Sequence, residues 1–262
     1  MYKLGPIHQG VAERGAKTTS DSYLLWPSKV GAFSLVMGRH THHADTSDLP
    51  FSYLIENNAE SYLVPGANLR TVGTIRDAQK WPKRDNRRDP HKLDQINFNL
   101  LSPYTVQKMW RGREVLDELQ ALSGENTEVY GYKNCKIRNS SLKHGRELYT
   151  IGIRKFLGNS LISRLEKQEW HSLAEVRAAL RPDGAIGLGD WVDLAGLLAP
   201  KSEVTRLLDD IQAGKLSLEA IQERLVTMHA NYYSYEWTWA LDKLEKVWGC
   251  TVEQVSLDLQ CE

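Results

Sequence analysis

With 262 residues, 41% of them apolar, and 33 basic side chains against 33 acidic ones, the chain can bury the core of one or two domains. The balanced charge argues against broad nucleic-acid binding, and no apolar run approaches the roughly 18 residues of a membrane helix. Cys135, Cys250 and Cys261 are odd in number and lack CxxC spacing, so neither a disulfide framework nor a cysteine metal site is expected. The start, Met1-Tyr2-Lys3-Leu4-Gly5-Pro6, is not laid out as a signal peptide, and the expected location is the cytoplasm.

Residues 1–80 are rich in strand-formers, glycines and turn residues. Ser-Tyr-Leu occurs at Ser22-Tyr23-Leu24, Ser52-Tyr53-Leu54 and Ser61-Tyr62-Leu63. Aliphatics recur every six residues at Leu24, Val30 and Val36, and again at Leu63, Leu69 and Ile75. A period of six suits a triangular coil with one hexapeptide per side, the left-handed parallel β-helix. Six is also a multiple of the strand period of two, so an antiparallel sheet stays open. Asn57-Asn58, between two strand-like runs, predicts a hairpin turn.

Between the two periodic runs lies a polar knot, from Gly38 to Pro50, with His40, His42 and His43 beside Asp45 and Asp48. In an extended segment His40 and His42 share a face and His43 takes the other. His40, His42 and Asp45 would then suit a divalent metal such as Zn²⁺. Alternatively His40, His42 or His43 is a general base, with Asp45 or Asp48 fixing its tautomer and Arg39 on a donor phosphate. The third reading is a polar loop whose groups satisfy one another.

The runs from Met37 to Leu54, from Arg70 to Pro82 and from Tyr104 to Trp110 resemble an uncharacterised bacterial family of unknown function. The resemblance implies hexapeptide-repeat left-handed β-helix coils ahead of a helical C-terminal region. It implies further that this chain is the later part of a longer protein. The coil pattern is also similar to that of hexapeptide-repeat transferases, which implies a histidine base acting on an activated sugar or acyl donor.

Residues 76–92 carry seven Lys or Arg against three Asp. With Trp81 to stack on a ring, they suit a phosphate-bearing donor, and Arg70, Arg76, Lys80, Trp81, Lys83 and Arg84 join Arg39 as candidate substrate-binding residues. The two prolines predict an irregular connector, and a solvated linker with internal Arg-Asp pairs is the competing reading.

Helices dominate the remainder. Ser102-Pro103 starts one that Ser123-Gly124 stops, and Val106, Met109, Leu116 and Leu119 form its apolar face. A strand-like piece at 127–132 precedes a helical stretch from about Leu142 to Gln168, in which Gly145, Gly152 and Gly158 suggest close packing. Ser172 to Glu175 is a capping box, and Gly187 to Trp191 reads as a glycine turn followed by the carboxylates Asp190 and Asp193. One helix is expected from Ser202 to Ala213, and a long one from Ser217 to Trp248. Ile221, Leu225, Met228, Tyr232, Tyr235 and Trp239 give the long helix a buried stripe, and its surplus aromatics suggest a subunit contact. Thr251 restarts a helix eleven residues before the end, as in a truncated segment.

The expected fold is therefore α+β. A β-helix-like or antiparallel β segment (1–80) leads through a basic connector (81–101) to a mainly helical domain (102–262). The functional expectations are a transferase, a non-catalytic scaffold or oligomerisation module, and a metal-binding protein. A homo-oligomer is expected for the first two.

Overall fold

The computed structural model describes residues 9–90, 92–167 and 169–254. The opening hexapeptide, His91 of the basic stretch, Gln168, Cys261 and the final residues of the predicted terminal helix lie outside them. The fold mixes α and β, with seven α-helices and four small sheets among the described residues. No helix among these is long and apolar enough to cross a membrane. The chain forms two compact units. The first runs up to Asn86 and adds Thr105–Ile153; the second comprises Arg87–Tyr104 and the chain from Arg154 on.

The first unit begins with six very short strands: β1 (Val11–Ala12), β2 (Lys17–Thr18), β3 (Tyr23–Leu24), β4 (Lys29–Val30), β5 (Leu35–Met37) and β6 (Arg39–His40). They pair in parallel. Val11 lies opposite Lys29, Lys17 opposite Leu35, and Leu35 opposite Tyr53 of β7 (Tyr53–Asn57), so each of these partners follows by three hexapeptides. Tyr23 lies opposite Arg39, and Lys29 opposite Asp45, each pair falling two residues short of that interval. Leu24, Val30 and Val36 thus fall one to a strand on three successive strands, and Val30 and Val36 are buried.

The second aliphatic run is different. Leu69 sits in a 3₁₀ turn (Ala67–Arg70) and the partly exposed Ile75 in α1 (Val72–Lys83), so that spacing does not mark strands. Helix α1 also takes in the first part of the stretch expected to be irregular, with Pro82 next to its last residue. A proline there still removes one backbone donor, but it ends the helix rather than kinking it midway.

Strand β7 turns back into β8 (Glu60–Val64), an antiparallel hairpin in which Asn58 and Ala59 take positive φ. Strands β9 (Val129–Tyr132) and β10 (Cys135–Arg138) extend this sheet, β10 running parallel to β8. The six strands are ordered β2-β5-β7-β8-β10-β9.

Helix α2 (Pro103–Ser123) starts at the expected Ser-Pro pair and buries Val106, Met109 and Leu116. Helix α3 (Asn139–Leu165) begins in the first unit and continues into the second. Gly145 and Gly152 are points of close approach: an added Cβ would meet Pro65 at 2.7 Å and Met109 Sδ at 2.8 Å. Around Gly158 there is open space, so close packing does not explain it.

In the second unit, α4 (Leu173–Ala179) is opened by the capping box, with the Glu175 backbone N–H donating to Ser172 Oγ and the His171 N–H to Glu175. After the glycine turn comes a hairpin that the sequence pattern did not predict, β11 (Trp191–Leu194) and β12 (Leu197–Pro200). Its turn uses Asp193, which accepts from the Gly196 N–H at 2.7 Å. Leu197 and Ala199 pack with Val204 and Leu207 of α5 (Lys201–Gln212) and Met228 of α6 (Leu218–Ala230). The long predicted helix is two: α6 ends at Ala230 and α7 (Tyr232–Trp248) follows, with Asn231 between them donating its side-chain amide to the Thr227 carbonyl. Tyr232, Trp237 and Trp239 are buried, while Tyr233 stays 69% exposed.

Candidate functional site

The knot is folded into the first unit. His40 lies opposite Leu24, so an imidazole occupies a position that an aliphatic side chain holds on the neighbouring strand, and it is 1% exposed. Its Nε2 lies 3.2 Å from the Met37 carbonyl and its Nδ1 2.8 Å from Ser61 Oγ. A carbonyl only accepts, so Nε2 carries the proton and Nδ1 accepts from the serine. Burial holds His40 below its ordinary pKa, against the Met37 hydrogen bond and the charge of Glu56. The result is a neutral, satisfied histidine without access to a ligand.

Its neighbours differ. His42 is exposed, and His43 is exposed with Nδ1 3.2 Å from the Leu25 carbonyl. Asp45 accepts from the Ser47 N–H (3.0 Å) and hydroxyl (2.5 Å), and Lys133 stands 3.4 Å from it and 2.7 Å from Asp48. Burial opposes ionisation of both carboxyls. The Ser47 bonds at Asp45 and the Lys133 bond at Asp48 outweigh it, leaving both below their usual values. His40, His42 and Asp45 do not form a ligand set: among the described residues no group of three or more His, Cys, Asp or Glu is placed to hold a metal ion. Nearby Cys135 is an inert thiol, pushed by burial to about 12.

Of the basic candidates, Lys80, Trp81 and Arg84 come together. With Lys17 and Asp77 they line a pocket of about 210 Å³ in the first unit, in which Lys17 pairs with Asp77 and Trp81 is 67% exposed. The others lie elsewhere. Arg39 pairs with Asp21 at 3.0 Å and covers the Tyr23 ring, Arg70 meets His144, and Arg76 pairs with Asp77. Lys83, the last residue of α1, is exposed.

A larger cleft belongs to the second unit, in residues that the sequence pattern assigned to packing or to a subunit contact. About 480 Å³ is enclosed by Leu101, by Phe156, Asn159, Ser160, Ser163, Arg164 and Lys167, by Asp183, and by Tyr233, Ser234, Glu236 and Trp237. Phe156 of this lining meets the buried Trp239 edge to face at 5.9 Å. Arg164 is fixed three ways: it bonds Asp183 through both terminal nitrogens, donates to the Ala179 carbonyl at 2.8 Å, and lies over the Trp237 ring.

Glu236 is the unusual group. The Tyr232 hydroxyl, one helical turn back, donates to its Oε2. Burial outweighs that bond and raises the carboxyl to about 7. Glu236 lines the cleft, and its Oε1 has no hydrogen-bond partner among the described residues. The sequence signal was a glutamate four residues after a tyrosine, within an aromatic cluster.

Residues 1–120 match the model of a domain of unknown function (DUF4954), and residues 172–260 match that of a second domain of unknown function (DUF6819). These matches agree with an uncharacterised family. No curated protein and no solved structure matches the chain.

Proposed function

We propose that the cleft of the second unit is an acid–base site, in which the Glu236 carboxyl exchanges a proton with a small polar ligand. The observation that carries this is a shielded carboxyl lining the cleft, held on one oxygen by Tyr232 and without a hydrogen-bond partner among the described residues on the other. At a value of about 7 it is available near neutral pH both as proton donor and as acceptor, the condition for general acid–base work. The test is a ligand-observed NMR screen of small molecules bearing hydroxyl, amine or carboxylate groups, run at pH 6 and pH 8. Binders whose affinity changes between the two, and no longer changes in Glu236→Gln, support the reading. A screen without any such binder overturns it.

A second reading concerns the first unit. Its short strands are proposed as coils of a left-handed β-helix. A register of three hexapeptides per turn supports this from β1 to β4 and along β2, β5 and β7, while the steps from β3 to β6 and from Lys29 to Asp45 are shorter by two residues at the knot. The Lys17, Lys80, Trp81 and Arg84 pocket is proposed to take a phosphate of an activated donor, with Trp81 stacking on its ring. A base for transfer there would be His42 or His43, since His40 is turned inward. Calorimetry with uridine and adenosine diphosphates tests it: binding that falls at least tenfold in Lys80→Ala or Trp81→Ala is expected, and no binding of either leaves the first unit as a scaffold.

A further inference from the structure

The lining of the second unit's cleft is unlike that of a packed helix pair. From α3 onward, Phe156, Asn159, Ser160, Ser163 and Lys167 recur at intervals of three and four, which places them on one side. Only Phe156 of this stripe is buried. An ordinary core stripe would carry Leu or Ile at the later positions; here an amide, two hydroxyls and an ammonium face the cavity. Helix α7 supplies Tyr233, Ser234, Glu236 and Trp237.

The hydrogen-bonding capacity of these groups is largely unspent. Ser160 donates to the Phe156 carbonyl at 2.9 Å. The side chains of Asn159, Ser163, Ser234 and Lys167 have no hydrogen bond or ion pair among the described residues. Tyr233 is held edge-on by Tyr232, with centroids 5.1 Å apart at 82°, and keeps most of its surface in solvent. A fixed aromatic ring loses little entropy when a ligand stacks on it.

Charge narrows the ligand further. Arg164 and Asp183 neutralise one another, and only Lys167 adds a net charge beside the titrating Glu236. A polyphosphate would find too few cations here. A ring with an apolar C–H face and a rim of hydroxyls fits a cleft lined by aromatic rings together with amide and hydroxyl groups. The cavity also continues: a neighbouring one of about 380 Å³ shares Arg164 and Lys167 and is walled by Trp170, Glu175, Ala178 and Ala179.

We propose that this cleft binds a saccharide, one ring stacked on Tyr233 with its hydroxyls on Asn159, Ser163, Ser234 and Glu236, and the next unit directed past Lys167 toward Trp170. The proposal rests on the acid–base reading of the same cleft and names its ligand class. Glu236 acts here as a binding group that both donates and accepts. The charged and titratable groups sharing its cleft are Arg164 of α3, Lys167, Asp183, and Tyr233 of its own helix, with Tyr232 bonded to it directly.

The test is calorimetry of the full chain against methyl glycosides and disaccharides of the common hexoses and N-acetylhexosamines. At least one should bind, and Tyr233→Ala, an exposed position that leaves the fold intact, should weaken it at least tenfold. The Asn159→Ala, Ser163→Ala double variant should do the same. Trp170→Ala should remove the advantage of the disaccharide over its monosaccharide. No binding by any sugar at millimolar concentration, or binding indifferent to Tyr233→Ala, overturns the proposal. If no sugar binds but the NMR screen finds ligands whose pH dependence is lost in Glu236→Gln, the ligand class fails while the acid–base site stands. If a sugar binds through Tyr233 and the screen finds no pH-dependent ligand, the ligand class stands and the acid–base reading is overturned.

Discussion

Replacing Glu236 by glutamine keeps the shape of the side chain and its ability to accept from Tyr232, and removes only its ionisation. The folded protein holds this carboxyl at about 7, against an ordinary 4.5 in the unfolded chain. Between those two values the folded state keeps a proton that the unfolded state has lost, so this group's contribution falls as pH rises through the window. The gap between them corresponds to a cost on the order of 3 kcal/mol above pH 7. Glu236→Gln should therefore differ least from the wild type at pH 5 and become progressively more stable relative to it toward pH 8. At about 2–4 °C per kcal/mol, the two melting curves should separate by several degrees. Urea unfolding of both proteins at each pH unit from 5 to 9 reads the difference directly, and contributions from other titrating groups cancel in it. A difference that stays constant across the range would mean that Glu236 ionises normally, and the burial argument would be wrong.

Other perturbations test the first unit. His40→Ala removes a buried ring and strips the partners from Ser61 and the Met37 carbonyl, and should cost about 2–4 kcal/mol in urea unfolding. Because His40 is held below its ordinary value, its contribution is complete above about pH 6.5 and is lost as pH falls, so acid unfolding should begin at lower pH in His40→Asn than in the wild type. Gly145→Ala forces a Cβ against the Pro65 ring and its carbonyl and should cost about 1–3 kcal/mol, whereas Gly152→Ala meets chiefly the flexible thioether of Met109 and should be near neutral in the same assay. Trp81→Ala should leave the melting temperature unchanged, since the ring is largely exposed, while abolishing any stacking of a donor ring seen by calorimetry.

Much of the local structure was legible because it depends on short-range chemistry. Ser102-Pro103 and Ser172 with Glu175 mark helix starts through signals that involve only their own stretch of backbone. Leu24, Val30 and Val36 mark three strands because successive strands there are one hexapeptide apart. Leu63, Leu69 and Ile75 keep the same spacing without the strands, since a period of six says nothing about whether the chain between is extended. The break at Asn231 was hidden because the apolar stripe resumes in step on α7: Met228 and Tyr232 are both buried on either side of it. At the knot, the density of histidine suggested chemistry, but pairing His40 with Leu24 across two strands decides that it faces inward, and that partner is set by long-range register. The cleft was not read from the sequence: Asn159, Ser160 and Ser163 lie at helical spacing, but α7, which also lines the cleft, comes only after α4, the β11–β12 hairpin, α5 and α6.

The most direct measurement is the titration of Glu236 itself. Carbon-detected NMR of protein labelled at the glutamate carboxyl carbon, with the resonance assigned by its absence from Glu236→Gln, follows the group between pH 3 and 9. A midpoint near 7 would establish the shielded carboxyl on which the acid–base cleft depends; a midpoint near the ordinary 4.5 would contradict it.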